Sequence, residues 1–275
     1  MEINEVNIPC QQKYGERFDL IPIGDIHYGN WQCDTEYFEN LIDWIKHQKN
    51  ILVLGMGDYC ECITPTDKRF DMDSTTEYRP AEQYHYIYKQ FKKIQDKIIG
   101  IHIGHHGDTL RLHAFDNYDL KLANDLGVKY LDWHAFNILN FNYKTTRNIT
   151  SRFVVYSCHG NGGGSTTGAK VNKVEELAKF YDADIYLMGH LHKCLTTTDN
   201  QISLINGLRG NRLTTRKRIF AVTGTMLRYP IEGKSGYEAR KGYRPMKPGV
   251  VKIKLYPRIR ERRTGIEGKD MHISE

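Results

Sequence analysis

Phe18-Asp-Leu-Ile-Pro-Ile-Gly-Asp25-Ile-His27 decides how this chain is read. The apolar run is too short for a helix and ends in glycine, so it reads as a buried strand. A carboxylate and an imidazole follow at once. The arrangement recurs: Ile51-Leu-Val-Leu-Gly55 leads to Gly57-Asp58, and Ile98-Ile-Gly-Ile-His-Ile103 to Gly104-His105-His106. Arg152-Phe-Val-Val-Tyr-Ser157 leads to His159, and Ile185-Tyr-Leu-Met188 to Gly189-His190-Leu-His192.

Helical periodicity fills the intervals. Asp34 can cap a helix whose stripe is Tyr37, Phe38, Leu41, Ile42 and Ile45. Tyr84, Ile87, Tyr88, Phe91 and Ile94 mark a second, and Leu120, Leu122 and Leu126 a third that stops at Gly127. Val171, Val174, Leu177, Ala178 and Tyr181 mark a fourth. Strand, polar motif and helix in successive units predict an α/β fold with its site at the carboxyl ends of the strands. From about Leu195 the apolar runs shorten (Ile202 to Ile205, Ile219 to Val222, Val250 to Leu255) and read as antiparallel strands of a second sheet.

The motifs gather two carboxylates and several imidazoles. Oxygen and imidazole donors in that mix suit Mn²⁺, Fe or Zn²⁺ better than Mg²⁺ or copper. The set is too large for one tetrahedral ion and invites two metals sharing a bridging carboxylate. Such a pair clamps the attacking and leaving oxygens of an in-line phosphoryl displacement.

Asp-x-His, Gly-Asp, a Gly-x-His segment, His and Gly-His-x-His, in this order from Ile21 to Lys193, resemble the calcineurin-like metallophosphoesterase superfamily. The resemblance implies an α/β, four-layer α/β/β/α sandwich with two mixed sheets and a dinuclear site. Carried over, Asp25, His27 and His192 hold the first of two divalent ions, Asp58 bridges, and His159 and His190 hold the second. Mn²⁺ is favoured, with Fe, Zn or Ni as alternatives. A hydroxide between the ions would attack phosphorus in line with the leaving oxygen.

One segment departs from the family pattern, which reads Gly-Asn-His followed by Asp or Glu. Here it is Gly104-His105-His106-Gly107-Asp108. Alignment on the second histidine puts His105 at the amide-ligand position and makes His106 the general acid. A shifted register with His105 as the acid stays open. The acid that usually orients the catalytic histidine is replaced by Gly107, which leaves the part of Asp108 open too.

With 275 residues, 40% of them hydrophobic, the chain can bury one substantial core. Residues 1–205 read as a catalytic core, and 206–275 as a basic part completing the second sheet plus an extension. No run of about 18 uncharged apolar residues suggests a membrane span. The amino terminus lacks a signal pattern. Six scattered cysteines fit reduced thiols, and a cytoplasmic location is expected.

The net charge of +6 conceals an asymmetry: residues 206–275 carry 18 Lys and Arg against 6 Asp and Glu, the rest 21 against 27. Arg209, Arg212, Arg216, Lys217 and Arg218 cluster. Arg240, Lys241, Arg244 and Lys247 follow with Tyr237 and Tyr243 between them, then Arg258, Arg260, Arg262 and Arg263. Basic residues interleaved with aromatics suit phosphate tracking and base stacking, so nucleic acid is a candidate partner.

Gly160 to Gly168 is rich in glycine but lacks the Gly-Lys-Ser/Thr ending of a P-loop; a phosphate-binding turn, a flap and a plain loop all fit. Lys170, just beyond, and Arg111, shortly after His106, are candidate substrate contacts. The polar insertion from Thr64 to Arg79, with Lys68 and Arg69, is expected to rim the cleft. His102, His113 and His134 lack a motif context.

These readings converge on a dinuclear phosphodiesterase acting on nucleic acid or nucleotides. A DNA-repair-type nuclease, a phosphomonoesterase and a non-catalytic nucleic-acid-binding module are the alternatives.

Overall fold

The computed structural model describes residues 1–275 except 12, 66, 68, 144–148, 165, 208–209, 234–241, 243, 261–266 and 275. Among the described residues the strands form two mixed sheets. One contains β1 (Glu2–Cys10), β6 (His134–Tyr143), β7 (Ile149–Cys158), β8 (Ile185–Met188), β10 (Gly210–Thr225) and β11 (Gly249–Val250) in that order, with β9 (Cys194–Gly207) paired to β10. The other runs β13 (Glu267–Ser274), β12 (Lys252–Arg260), β2 (Phe18–Ile23), β3 (Ile51–Gly55), β4 (Ile98–His102), β5 (Tyr130–Asp132).

Alternation along the strands places the core. In β3, Leu52 and Leu54 join one apolar cluster while Ile51 and Val53 join another. In β8, Ile185 and Leu187 point into the first of these, and Tyr186 and Met188 into a third. Ile219 and Ala221 of β10 repeat the split against Phe220 and Val222. The shared cluster draws residues from both sheets, so it is the layer between them. Strands covered on both faces must be apolar throughout, which is why these runs do not alternate with polar residues.

Among the described residues five α-helices accompany the sheets: α1 (Thr35–His47), α2 (Pro80–Lys92), α3 (His105–Ala114), α4 (Tyr118–Leu126) and α5 (Thr167–Glu176). Phe38, Ile42 and Ile45 of α1, Ile87 and Phe91 of α2, and Leu122 and Leu126 of α4 pack on the outer face of the β2–β3–β4 sheet. Val174 of α5 packs on the other. Asp34 caps α1 by accepting from the Tyr37 N–H, and Gly127 ends α4 at φ 66°. No helix among the described residues is long and apolar enough to cross a membrane.

The C-terminal strands do not make a sheet of their own. β10 lies parallel to β8, and β12 lies antiparallel to β2, so residues after 206 enter both sheets. Ile219 to Val222 are buried on both faces, and only a central position satisfies that. Sequence periodicity also passed over β1 and β6, whose polar positions dilute the apolar signal.

β2, β3 and β4 are parallel, as are β7 and β8. Their carboxyl ends deliver the motif residues.

Candidate metal centre

The backbone is bent hard where the motifs sit. Nine non-glycine described residues have positive φ, and five are motif residues: Asp25 (48°), His27 (53°), Asp58 (50°), His190 (65°) and His192 (48°). Each such residue costs on the order of 1–3 kcal/mol, and strain of this kind concentrates at functional sites. The loops also interlock. The Asp25 N–H donates to Gly57 O, and the Ile26 and His27 N–H groups to Asp58 O. A Cβ on Gly104 would come within 2.1 Å of Asp58 N and Oδ1, so only glycine lets the two loops pass.

Asp25, His27 and His192 point donor atoms at one another. Asp25 Oδ2 accepts from the His190 N–H at 2.8 Å, which turns Oδ1 toward His192 Nε2, 3.3 Å away. His27 donates Nδ1–H to Glu61 Oε2 at 3.0 Å, leaving Nε2 3.1 Å from His192 Nε2. A carboxylate behind an imidazole in this way fixes the tautomer and ring orientation that a metal ligand needs.

The second group is Asp58, His105, His159 and His190. Asp58 Oδ1 accepts from the His106 N–H at 2.8 Å, while Oδ2 lies 3.1 Å from His159 Nε2 and 3.9 Å from His27 Nε2. That single oxygen faces both groups. His159 donates Nδ1–H to Met56 O at 2.7 Å, again freeing Nε2.

These donors fit a cation. His105 Nδ1 and His190 Nδ1 are buried with no hydrogen-bond partner, an expensive state unless an ion completes it. Burial, reinforced by His159, holds His105 and His190 below the usual imidazole range, His190 at about 4, so both are neutral and offer lone pairs. Burial opposes charge on His27 and His159 as well. Glu61 and Asp58 respectively outweigh it and lift each to about 9. Burial likewise works against ionised Asp58, yet the imidazoles, His159 first, hold it well below the carboxylate range. The buried Asp and His groups could therefore hold metal, protons standing in on His27 and His159 otherwise.

His106 lies in the first turn of α3 beside both groups, with His27, Asp58 and His106 forming a third set of neighbouring donors. Its Nδ1–H donates to Glu61 O at 2.5 Å, and Glu61 Oε2 lies 3.6 Å off. Glu61 thus touches both His27 and His106. Asp108 instead pairs with Arg111 at 2.7 Å. Glu61 stands outside every motif in the sequence; its spacing of three residues from Asp58 is the available signal. None of the six cysteines is in a disulfide, and Cys60, Cys62 and Cys158 are buried.

The donors open into a cleft of about 820 Å³. Lys170 lines it, as do Arg69, Asp71, Ser74 and Thr75 of the insertion and Gly162 to Gly164 of the glycine-rich segment. Arg111 is not among the lining residues. His102 is buried away from the cleft, bonded to Asp132 O at 2.8 Å and Ser157 Oγ at 2.7 Å.

Part of the C-terminal positive charge is paired with carboxylates. Arg216 pairs with Asp182 and Asp184, Arg218 with Asp199, and Lys217 with Asp270. Arg244 reaches the cleft. Arg209, Tyr237, Arg240, Lys241, Tyr243, Arg262 and Arg263 lie outside the described residues, as do Lys68 and the side chains of Arg212 and Arg260.

No protein-family model and no curated protein matches the chain. The two-sheet α/β fold with its Asp and His clusters is compatible with a metallophosphoesterase.

Proposed function

We propose that the chain is a four-layer α/β/β/α metallophosphoesterase that hydrolyses phosphodiesters, with nucleic acid or nucleotides as the favoured substrate class. The observation that carries this reading is Asp58 Oδ2, one carboxylate oxygen turned toward two separate groups of imidazole donors in a cleft. Asp25, His27 and His192 would hold one divalent ion, His105, His159 and His190 a second, and Asp58 would join them. Mn²⁺ fits the mixed oxygen and nitrogen donors, with Fe, Zn and Ni as alternatives. Bound there, the ions supply Lewis acidity, an activated water and neutralisation of the phosphoryl oxygens.

The chain's own residues do the rest. Glu61 and Met56 O fix the tautomers of His27 and His159 through Nδ1. His106, its Nδ1–H committed to Glu61 O, turns Nε2 outward as the group that protonates the leaving oxygen. Burial and then neighbouring His27 oppose the charge on His106, while Asp58 and Glu61 favour it; the balance holds it below the usual imidazole range.

The test is steady-state hydrolysis of bis-p-nitrophenyl phosphate against p-nitrophenyl phosphate with Mn²⁺ supplied. A strong diester preference, lost in His106→Asn with metal content unchanged, is expected. Monoester preference overturns the phosphodiesterase reading in favour of a phosphatase. No turnover of either compound, with metal bound, overturns the assignment of a general diesterase.

A further inference from the structure

The two ends of the cleft differ in charge. Near His106 the lining cation is Arg69, and it is taken up by Asp67 at 2.6 Å and by Thr109 at 3.3 Å. Near His192 three cations line the wall: Lys170 on α5, Lys193 ahead of β9, and Arg244 between β10 and β11. Lys170 Nζ donates to Leu191 O at 2.5 Å and Lys193 Nζ to Thr167 Oγ1 at 3.2 Å, both neutral oxygens. None of the three is paired with a carboxylate among the described residues.

Three separate segments therefore bring like charges together at one place, with no carboxylate in ion-pair contact among the described residues. The crowding registers on Lys170. Burial first, then Lys193 and Arg244, lower its pKa against the pull of Asp25. On β10, by contrast, Arg216, Lys217 and Arg218 all meet carboxylates. A cationic concavity left unpaired beside a phosphate-processing centre is complementary to further anionic charge on the ligand. Thr166, Thr167 and Gly162 to Gly164 line the same wall and add small polar groups that let a phosphate approach.

We propose that Lys170, Lys193 and Arg244 form a subsite for a second phosphate of the substrate, one that adjoins the phosphate being cleaved. The inference rests on the phosphodiesterase reading and narrows it to nucleotide chains rather than isolated diesters. The scissile phosphate lies at the Asp and His donors; the strand continues past His192 onto the three cations. At the His106 end, where Arg69 is already paired, the leaving portion meets no comparable charge among the described residues.

Two pairs of chromogenic substrates test this. One pair is thymidine 5′-(p-nitrophenyl phosphate) with and without a 3′-phosphate; the other is thymidine 3′-(p-nitrophenyl phosphate) with and without a 5′-phosphate. In one pair the added phosphate should raise kcat/KM by at least about tenfold through KM. The Lys193→Gln/Arg244→Gln protein should lose most of that ratio, and adding Lys170→Met should abolish it. No preference in either pair, or one that survives the substitutions, overturns the subsite. If no diester is turned over at all, the proposed function fails, and a separate measurement still decides the subsite. Binding of fluorescein-labelled tetrathymidylate in chelator is followed by anisotropy at several salt concentrations. Loss of the one phosphate contact that the three cations share should make the slope of log K on log salt shallower by about 0.7. An unchanged slope overturns the subsite on its own.

Discussion

The Asp119 carboxylate occupies the space that a side chain at position 107 would need: a Cβ on Gly107 would meet Asp119 Oδ2 at 2.0 Å. Asp119 accepts from the Gly104 N–H at 3.2 Å, at the start of the helix carrying His105 and His106. The acid missing from the sequence after His106 is thus supplied at that point in space by α4, although it supports the backbone and not the imidazole. Gly107→Ala should lower stability by about 1–3 kcal/mol, as overpacking a filled site does. Urea denaturation measures it, and an unchanged midpoint would refute the steric account.

Asp119 also makes a pH prediction. Burial first, with Asp58 and Asp108 adding, raises its carboxyl to about 7 against the opposing Gly104 N–H and His159. The folded state holds this proton better than the unfolded chain, so its contribution is present at low pH and lost as pH rises through 7. Asp119→Asn removes that loss. Its stability relative to the parent protein should increase between pH 5 and pH 8, and a pH-independent difference would contradict the assignment.

His27 and His159, both lifted to about 9, carry protons at neutral pH when no ion is bound. Their stabilisation of the metal-free fold is complete below about 6.5 and fades as pH climbs through 9. Divalent ions must displace those protons. Calorimetric titration with Mn²⁺ in buffers of different ionisation enthalpy should report release of about two protons per chain at pH 7. Release of none would mean that these imidazoles are not the binding groups.

Glu61→Gln should weaken Mn²⁺ binding by about 10–100-fold, because the carboxylate behind a ligating histidine sets its orientation and basicity. Glu61→Asp should recover part of the affinity. Equal affinity in all three proteins would place Glu61 outside the support of the centre.

His102 acts oppositely in acid. Burial, helped by His159 and His134 and opposed by its bond to Asp132 O, depresses it to about 3. The unfolded chain takes up that proton first, so the contribution is intact above about 6.5 and lost as pH falls toward 3. His102→Asn should cost about 1–3 kcal/mol at pH 8 through lost buried hydrogen bonds. The deficit should narrow by pH 5, read from urea midpoints at the two pH values; a constant deficit would exclude a titrating His102.

The sequence by itself determined the parallel strand ends and what they carry. Short apolar runs such as Ile51–Gly55 have to be buried on both faces, and a polar residue directly after one has to emerge at the sheet's edge. That logic located Asp25, His27, Asp58, His105, His106, His159, His190 and His192. It could not rank Glu61 above Asp108 as the support of His106, since both lie a few residues from a motif. Only the tertiary structure decided between them, by turning Asp108 to Arg111 and folding Glu61 back beneath two imidazoles. The placement of β10 beside β8, the filling of the Gly107 gap by Asp119 and the meeting of Lys170, Lys193 and Arg244 were equally beyond local reading. Each joins residues far apart in the chain, and burial, steric exclusion and charge act through space, where sequence spacing sets no distance.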